Sequence, residues 1–384
     1  MLITTLLALQ GAALLLVLAR LAAGRTRRPP VEPRPEGLND TSVSVIVPTY
    51  NEAARVGRCL AGLAVQGAPL EEIIVVDSRS TDGTDAVVRE ASMRDPRIRL
   101  VNDPPLPEGW VGKVWALQHG LSHATGEWVL GVDADTDPQP GMVAAVVAAA
   151  RDARCDVVSF SPRFAGMTVA EQWVQPSMLV SLVYRTGAAG VRRPDPDKVL
   201  ANGQCFLARR EVLLAHGGYE AARLSWADDV TLARSLARRG IAVDFLDGSK
   251  LYDVRAYTSA AHMWREWGRS FDLSDATTRA RQWLDVAFVM LVQGLPAPLL
   301  LLAATGAINV FSGAGQALLW LNVAVFAIRL LMLGALKASY AEHSVGYWLS
   351  PLADPLAALR LVLSTLKRPR QWRGRQMTTP ARED

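Results

Sequence analysis

The stretch Trp128–Pro138, WVLGVDADTDP, decides how this chain is read. The apolar run Trp128–Val132 has the length and bounded ends of a buried strand. It stops at Asp133-Ala134-Asp135. In an open α/β sheet, ligands bind at the carboxyl ends of the strands. Two acids on alternate positions at such an end can hold a divalent cation and, through it, a diphosphate. A lone D-x-D is more often an acidic turn, so its meaning rests on what the rest of the chain brings beside it.

Outward from this point, between Ser42 and Gly248, short apolar runs alternate with helical patterns. The expected strands are Val43–Val47, Glu72–Asp77, Ile98–Val101, Trp128–Val132, Asp156–Phe160, Gly203–Ala208 and Ala242–Leu246. The expected helices include Ala53–Val65, Gly83–Met93, Lys113–His123 and Pro140–Ala150. This β-α-β-α order argues for an α/β domain with a mostly parallel sheet and helices on both faces. The first strand runs into Pro48-Thr49-Tyr50-Asn51-Glu52, and the second ends at Asp77 before Ser80-Thr81-Asp82-Gly83-Thr84. Together with Asp133 and Asp135, these ends offer carboxylates to a nucleoside and a metal-bound diphosphate. No G-x-G-x-x-G follows the first strand and no G-x-x-x-x-G-K-[ST] occurs, so neither a dinucleotide fingerprint nor a P-loop is present.

Two more clusters join them. Gly109-Trp110-Val111-Gly112-Lys113 sets a lysine at a helix start, where its charge and the free N–H groups favour an anion. Trp226-Ala227-Asp228-Asp229 precedes the helix Val230–Arg238, where acids serve as caps as readily as in chemistry. His119 and His123 are four apart, but no H-E-x-x-H accompanies them. The three cysteines, Cys59, Cys155 and Cys205, show no zinc or disulfide spacing and are read as buried thiols in a reducing compartment.

Half of the 384 residues are hydrophobic (50%), and the excess gathers in Leu2–Ala23 and Val286–Leu336. Leu2–Ala23 is apolar enough to span a bilayer. Its basic neighbours Arg20, Arg25, Arg27 and Arg28 come at or after its end, whereas a cleaved signal peptide carries them before. Residues 1–24 are therefore expected to be an uncleaved anchor, and the Pro- and Arg-rich residues 25–41 an extended linker. Val286–Gly306 and Gly313–Leu336 read as a transmembrane hairpin over 286–336. No charge occurs from Val286 to Ile328, and Arg329 sits where it can snorkel toward the inner face. Tyr347–Leu366 contains Pro351, Asp354, Pro355 and Arg360 and reads as an interfacial helix. With Lys367, Arg368, Arg370, Arg373 and Arg375 it makes an interfacial helix and basic tail over 345–375.

The positive-inside rule then sets residues 42–270 in the cytoplasm and makes the chain a multi-pass protein of the cell (inner) membrane. The net charge of +4 lies beside the apolar segments, which fits an anionic lipid surface and gives no reason to expect nucleic acid.

Taken together, Ser42–Arg269 closely resembles the family 2 glycosyltransferases of the GT-A fold. VSVIVPTYNE (Val43–Glu52) resembles that family's opening strand and turn. VVDSRSTDGT (Val75–Thr84) is similar to its V-D-D-x-S-x-D-x-T segment, and GKVWAL (Gly112–Leu117) to its G-K-x-x-A-L helix start. DAD (Asp133–Asp135) matches its metal motif, and ADD (Ala227–Asp229) occupies the place of its E-D base motif. Ser78 replaces the usual second aspartate, Asp228 stands where Glu is commoner, and HMWREWGRS (His262–Ser270) replaces the Q-x-x-R-W of processive synthases. Pro104–Gly120, Ala201–Glu211 and Trp372–Arg375 look most like a membrane-anchored branch that glycosylates carotenoids, hopanoids and ceramide-type lipids.

The resemblance implies an inverting, metal-dependent hexosyltransferase that moves a sugar from a nucleoside-diphosphate sugar to a lipid acceptor. A soluble or polysaccharide acceptor is the alternative. It assigns Asp229, with Asp228 beside it, to catalysis. Pro48, Thr49, Tyr50, Glu52, Asp77, Asp82, Lys113 and Asp133 fall to the donor, and Asp135 with Asp133 to Mn²⁺ or Mg²⁺. A nucleotidyltransferase would show a glycine- and basic-rich loop after the first strand, which PTYNEAARVG lacks. A non-enzymatic membrane scaffold would not need these acids.

Overall fold

The computed structural model describes residues 1–193, 195–255, 257, 259–271, 273, 275–309 and 311–366, and the backbone alone at 371–372 and 375–376. Lys367, Arg368, Arg370 and Arg373 of the expected basic tail lie outside the described residues, as does the side chain of Arg375. The chain divides into two compact units. An apolar unit comprises Met1–Arg27, Ala165–Val191 and Tyr257–Arg368, and a sheet unit is built on Arg28–Phe164 and Arg192–Ala256.

In chain order, α1 (Leu2–Ala22) opens the apolar unit. The sheet unit follows with β1 (Val43–Thr49), α2 (Ala53–Ala64), β2 (Leu70–Asp77), α3 (Thr84–Arg94), β3 (Ile98–Asn102), α4 (Gly112–His123), β4 (Trp128–Val132), β5 (Thr136–Pro138), α5 (Met142–Ala153), β6 (Val157–Ser161) and β7 (Arg163–Phe164). α6 (Val169–Thr186) returns to the apolar unit. β8 (Cys205–Arg209), α7 (Arg210–Ala215), α8 (Asp228–Arg238), β9 (Val243–Asp247) and β10 (Tyr252–Val254) complete the sheet unit. The apolar unit ends with α9 (Ala260–Ser270), α10 (Arg279–Val289), α11 (Pro296–Ala304), α12 (Gly313–Leu336), α13 (Val345–Leu349) and α14 (Asp354–Leu366).

The main sheet has the order β3-β2-β1-β4-β8-β6-β9. All neighbours are parallel except β8, which runs antiparallel to both β4 and β6. The mostly parallel α/β sheet expected from the sequence is therefore present, and all seven of its strands were anticipated. A second sheet, β5-β10-β7, was not. Its strands are two or three residues long, too short to show a period.

The central strands are apolar throughout because both faces are covered. Alternate side chains go to opposite layers. Val45, Val47, Ile73 and Val75 join one core with Val56, Cys59, Leu60 and Leu63 of α2. Ile46, Ile74 and Val76 join the other with Val114, Leu117 and Leu121 of α4. Both helices follow the i, i+3, i+4, i+7 spacing that packs one face on a sheet. Gly120 lets α4 approach closely, since a Cβ there would lie 2.5 Å from Ile46 Cγ2.

Residues 27–41, within the Pro- and Arg-rich linker, contain no helix or strand and are tied down by backbone hydrogen bonds. Val31, Arg34 and Leu38 donate backbone N–H groups to the carbonyls of Asp247, Gly141 and Ala68 at 2.8, 3.1 and 3.0 Å. Of the three cysteines, Cys59 and Cys205 are buried, and Cys155 is only partly so.

Residues 165–191 and 257–270 group with the apolar helices. The polar side chains of α6 are the reason. Ser177 donates to the Ser350 carbonyl at 2.6 Å, Ser181 to Gln293 Oε1 at 2.8 Å, and Arg185 to Asp285 at 3.1 Å. These polar groups are satisfied by partners far along the chain.

Among the described residues, four helical segments in this unit are long and apolar enough to cross a membrane: Leu2–Thr26, Arg279–Ala304, Gly313–Ser339 and Val345–Leu366. A π-helical turn, Met290–Gly294, and Pro296 interrupt the second. Gln10 and Asn322 exchange amide hydrogen bonds at 3.1 and 3.0 Å.

Arg329 does not snorkel. It is 1% exposed, and its Nε donates to both Asp354 oxygens at 3.0 Å. Its Nη2 donates to Ser177 and Ser350 at 3.2 and 3.1 Å. Asp354, one of the residues that made Val345–Leu366 read as interfacial, is thus neutralised inside the unit. By length and composition that segment is a fourth candidate span.

Removing one member of a buried ion pair strands the other charge. Arg329→Met or Asp354→Leu alone should lower stability by about 3–5 kcal/mol, and the double substitution by clearly less than either. Thermal unfolding of the detergent-purified protein checks this. A double variant as unstable as the sum of the singles would contradict it.

Candidate active site

Parallel pairing brings the carboxyl ends of β1, β2, β3 and β4 to one edge. Thr49 lies opposite Asp77, and Asp77 opposite Asn102. Asp77 is 2% exposed and its carboxylate is held in place. The Thr49 hydroxyl donates to it at 3.1 Å, Ser80 N–H at 2.9 Å and Ser80 Oγ at 2.5 Å. Asn51 takes a positive φ of 55°, as Asn does more readily than most residues, and closes the turn by accepting from Thr81 N–H at 2.9 Å. Pro48 and Tyr50 flank Thr49 at the end of this strand, both partly buried.

Other expected donor-site acids are placed differently. Asp82 accepts from the N–H groups of Ala53 and Thr84 and from the Thr84 hydroxyl, so both of its oxygens tie together the starts of α2 and α3. Burial opposes its charge, but these donors outweigh burial and hold its carboxyl below the usual range. Glu52 is buried and pairs with Arg55 at 3.4 Å. Ser78, where the family's second aspartate usually stands, donates to Asp103 at 2.7 Å. Asp103, just beyond β3, thus sets its carboxylate against Ser78. The sequence carried a signal for it: Asn102-Asp103 ends a strand as Asp77 does.

The densest charge lies beyond β4. The Lys113 ammonium, from the first turn of α4, meets the two Asp133 oxygens at 2.9 and 3.0 Å and lies 3.9 Å from Asp228. The antiparallel direction of β8 completes the cluster. Val132, the last residue of β4, pairs with Cys205, the first of β8, so Asn202–Gln204 arrive at the same edge. Gly203 N–H donates to Asp229 Oδ2 at 2.7 Å, and a Cβ on Gly203 would fall 2.7 Å from Lys113 Nζ. Val111 N–H donates to the Arg223 carbonyl at 2.7 Å, joining the start of α4 to the segment before α8. Asn202-Gly203-Gln204 had no assigned role from sequence, because strand direction is not legible there.

Burial, then the neighbouring Asp228 charge, pushes the Asp229 carboxyl up to about 7; Lys113 and the N–H groups of Val230 and Gly203 pull the other way. Burial likewise raises Asp228, with Lys113 opposing and Asp133 adding to the rise. Asp135 follows at the turn into β5, its carbonyl accepting from Arg255 N–H at 3.3 Å.

Among the described residues no group of three or more His, Cys, Asp or Glu could by itself hold a metal ion. Mg²⁺-type sites need fewer: one or two carboxylates, with phosphates and water supplying the rest. Asp133 already stabilises one cation, the ammonium of Lys113, and three carboxylates face that single positive charge. This donor set fits a divalent cation bound together with a diphosphate.

Residues 44–217 match the family model described as Glycosyl transferase family 2. A 4,4'-diaponeurosporenoate glycosyltransferase of Staphylococcus haemolyticus is 24% identical over 58% of this chain and 58% of its own length. A probable glycosyltransferase of Bacillus subtilis is 25% identical over 59% of this chain and 53% of its own. The matches thus span little more than half of these relatives, and 38% of a glycosyltransferase from Escherichia coli. The fold is shared with a mannosyltransferase of Pyrobaculum calidifontis solved with GDP-Man and Mn²⁺. That match has a TM-score of 0.58 and 24% identity, over 95% of this chain and 99% of the other. Residues 44–217 thus form a domain of the family 2 glycosyltransferases, with its strand-end motifs in order.

Proposed function

We propose that the protein transfers a sugar from a nucleoside-diphosphate sugar to a hydroxyl or carboxyl group of a membrane lipid, with inversion. The observation that carries the transferase reading is the cluster of Lys113, Asp133, Asp228 and Asp229 at the edge where Thr49 and Asp77 also end. Asp77, held by Thr49 and Ser80, is suited to a nucleoside hydroxyl or base. Lys113 faces the diphosphate, while Asp82 serves to tie the two helix starts. Asp133 and Asp135 would hold Mn²⁺ or Mg²⁺, which supplies Lewis-acid stabilisation of the departing diphosphate.

Asp229 is suited to act as general base because its ionisation lies near neutral pH. It takes the acceptor proton as the acceptor oxygen bonds to the anomeric carbon. The bond from that carbon to the diphosphate oxygen breaks, and its electron pair leaves with the diphosphate. Attack opposite the leaving group inverts the configuration.

The lipid acceptor rests on the four apolar helices and on the relative named for 4,4'-diaponeurosporenoate. The basic residues Arg20, Arg25, Arg27 and Arg28 favour a sheet unit in the cytoplasm of a multi-pass inner-membrane protein. In this reading Val345–Leu366 does not carry the basic tail across the membrane.

Membranes containing the protein should transfer radiolabel from a sugar nucleotide into the chloroform-soluble fraction. The transfer should stop on chelation and return with Mn²⁺. Label confined to the aqueous phase would overturn the lipid acceptor and favour a soluble or polysaccharide one.

Asp229→Asn should lower turnover by about 100- to 10,000-fold while leaving nucleotide affinity unchanged, by isothermal titration calorimetry. Full turnover in the purified variant removes Asp229 as the base. The wild-type rate should rise with pH as Asp229 loses its proton, with an apparent pKa at or below about 7, since a bound cation favours the carboxylate further. A rate independent of pH from 5 to 8 would contradict this role.

A further inference from the structure

Lys113 and a divalent cation compete for the same carboxylate. The ammonium touches both Asp133 oxygens, at 2.9 and 3.0 Å, and is 3.9 Å from Asp228. Its side chain is 19% exposed, and the Gly203 backbone closes in from one side. A cation that takes Asp133 must displace this contact and face a second positive charge at short range. A nucleoside diphosphate reverses the balance, because a lysine at a helix start is a point-charge partner for phosphate. The four-carbon stem allows the ammonium to move while α4 stays in place.

We propose that Lys113 couples metal binding to donor binding. In the nucleotide-free protein its ammonium occupies Asp133 and keeps the affinity for divalent cations low. An arriving diphosphate draws the ammonium to its own oxygens and frees Asp133 for the cation. The metal therefore enters with the nucleotide instead of ahead of it. Linkage requires the effect to be reciprocal, so the cation tightens the nucleotide by the same factor. This inference rests on the donor-site reading above and adds an order and a coupling to it.

The test uses the full chain in detergent. Free Mn²⁺ is followed by its electron paramagnetic resonance signal, without nucleotide and with saturating UDP or GDP. In the wild type, nucleotide should tighten Mn²⁺ binding at least about tenfold. In Lys113→Gln, nucleotide-free Mn²⁺ binding should tighten about tenfold and the nucleotide effect should fall below about threefold. Lys113→Arg keeps the cation and should keep nucleotide-free Mn²⁺ binding weak. If Lys113→Gln does not fold, Gly203→Ala carries the test, because its added methyl crowds the ammonium off Asp133 and should also tighten Mn²⁺. Unchanged nucleotide-free affinity in the folded variant, or an undiminished nucleotide effect, overturns the proposal. A wild type that binds neither Mn²⁺ nor nucleotide fails the donor-site reading itself.

Discussion

Three carboxylates and one ammonium share a largely buried corner of the sheet unit, and their mutual compensation organises the site. Asp133, Asp228 and Asp229 lie close together there, and the Lys113 ammonium sits against Asp133 and near Asp228. The four charges reach the corner from three places: Asp133 just beyond β4, Asp228 and Asp229 in the first turn of α8, and Lys113 in the first turn of α4. The antiparallel β8 adds a backbone N–H on Asp229. Burial first, and then the neighbouring Asp228 charge, keep the Asp229 carboxyl raised in this corner.

The apolar unit obeys the same rule with different chemistry. Arg329 and Asp354 are both buried, and each is tolerable because the other is present, with Ser177, Ser350 and Gln293 as further partners. One ion pair thereby joins α6, the π-helical turn, α12 and the start of α14. The Gln10–Asn322 amide pair does the same for α1 and α12. In an apolar medium such contacts leave few alternatives, because unpaired polar groups have no water to turn to.

Acidic residues at the edge of the sheet differ in the donors that surround them. Asp82 has both oxygens bound to helix-start donors. Asp77 is oriented by three donors at the junction of β1 and β2. Ser78 donates to the carboxylate of Asp103, just beyond the next strand. Residue type alone does not separate these cases; the donors around each carboxylate do.

By itself the sequence determined the alternating α/β order, the strands of the main sheet, the acids at their ends and the segments able to enter a membrane. These features are local: a period of 2 or 3.6, an abrupt change from apolar to acidic residues, a long run without charge. Only the tertiary structure decided that β8 runs against its neighbours and brings Gly203 to Asp229. It also set Lys113 on Asp133, paired Ser78 with Asp103, bound Asp82 to donors at two helix starts, and neutralised Asp354 with Arg329. Each of these depends on which distant residue a charge or a strand edge meets. That choice is made by packing and by the demand that buried polar groups be paired, and no window of neighbouring residues records it.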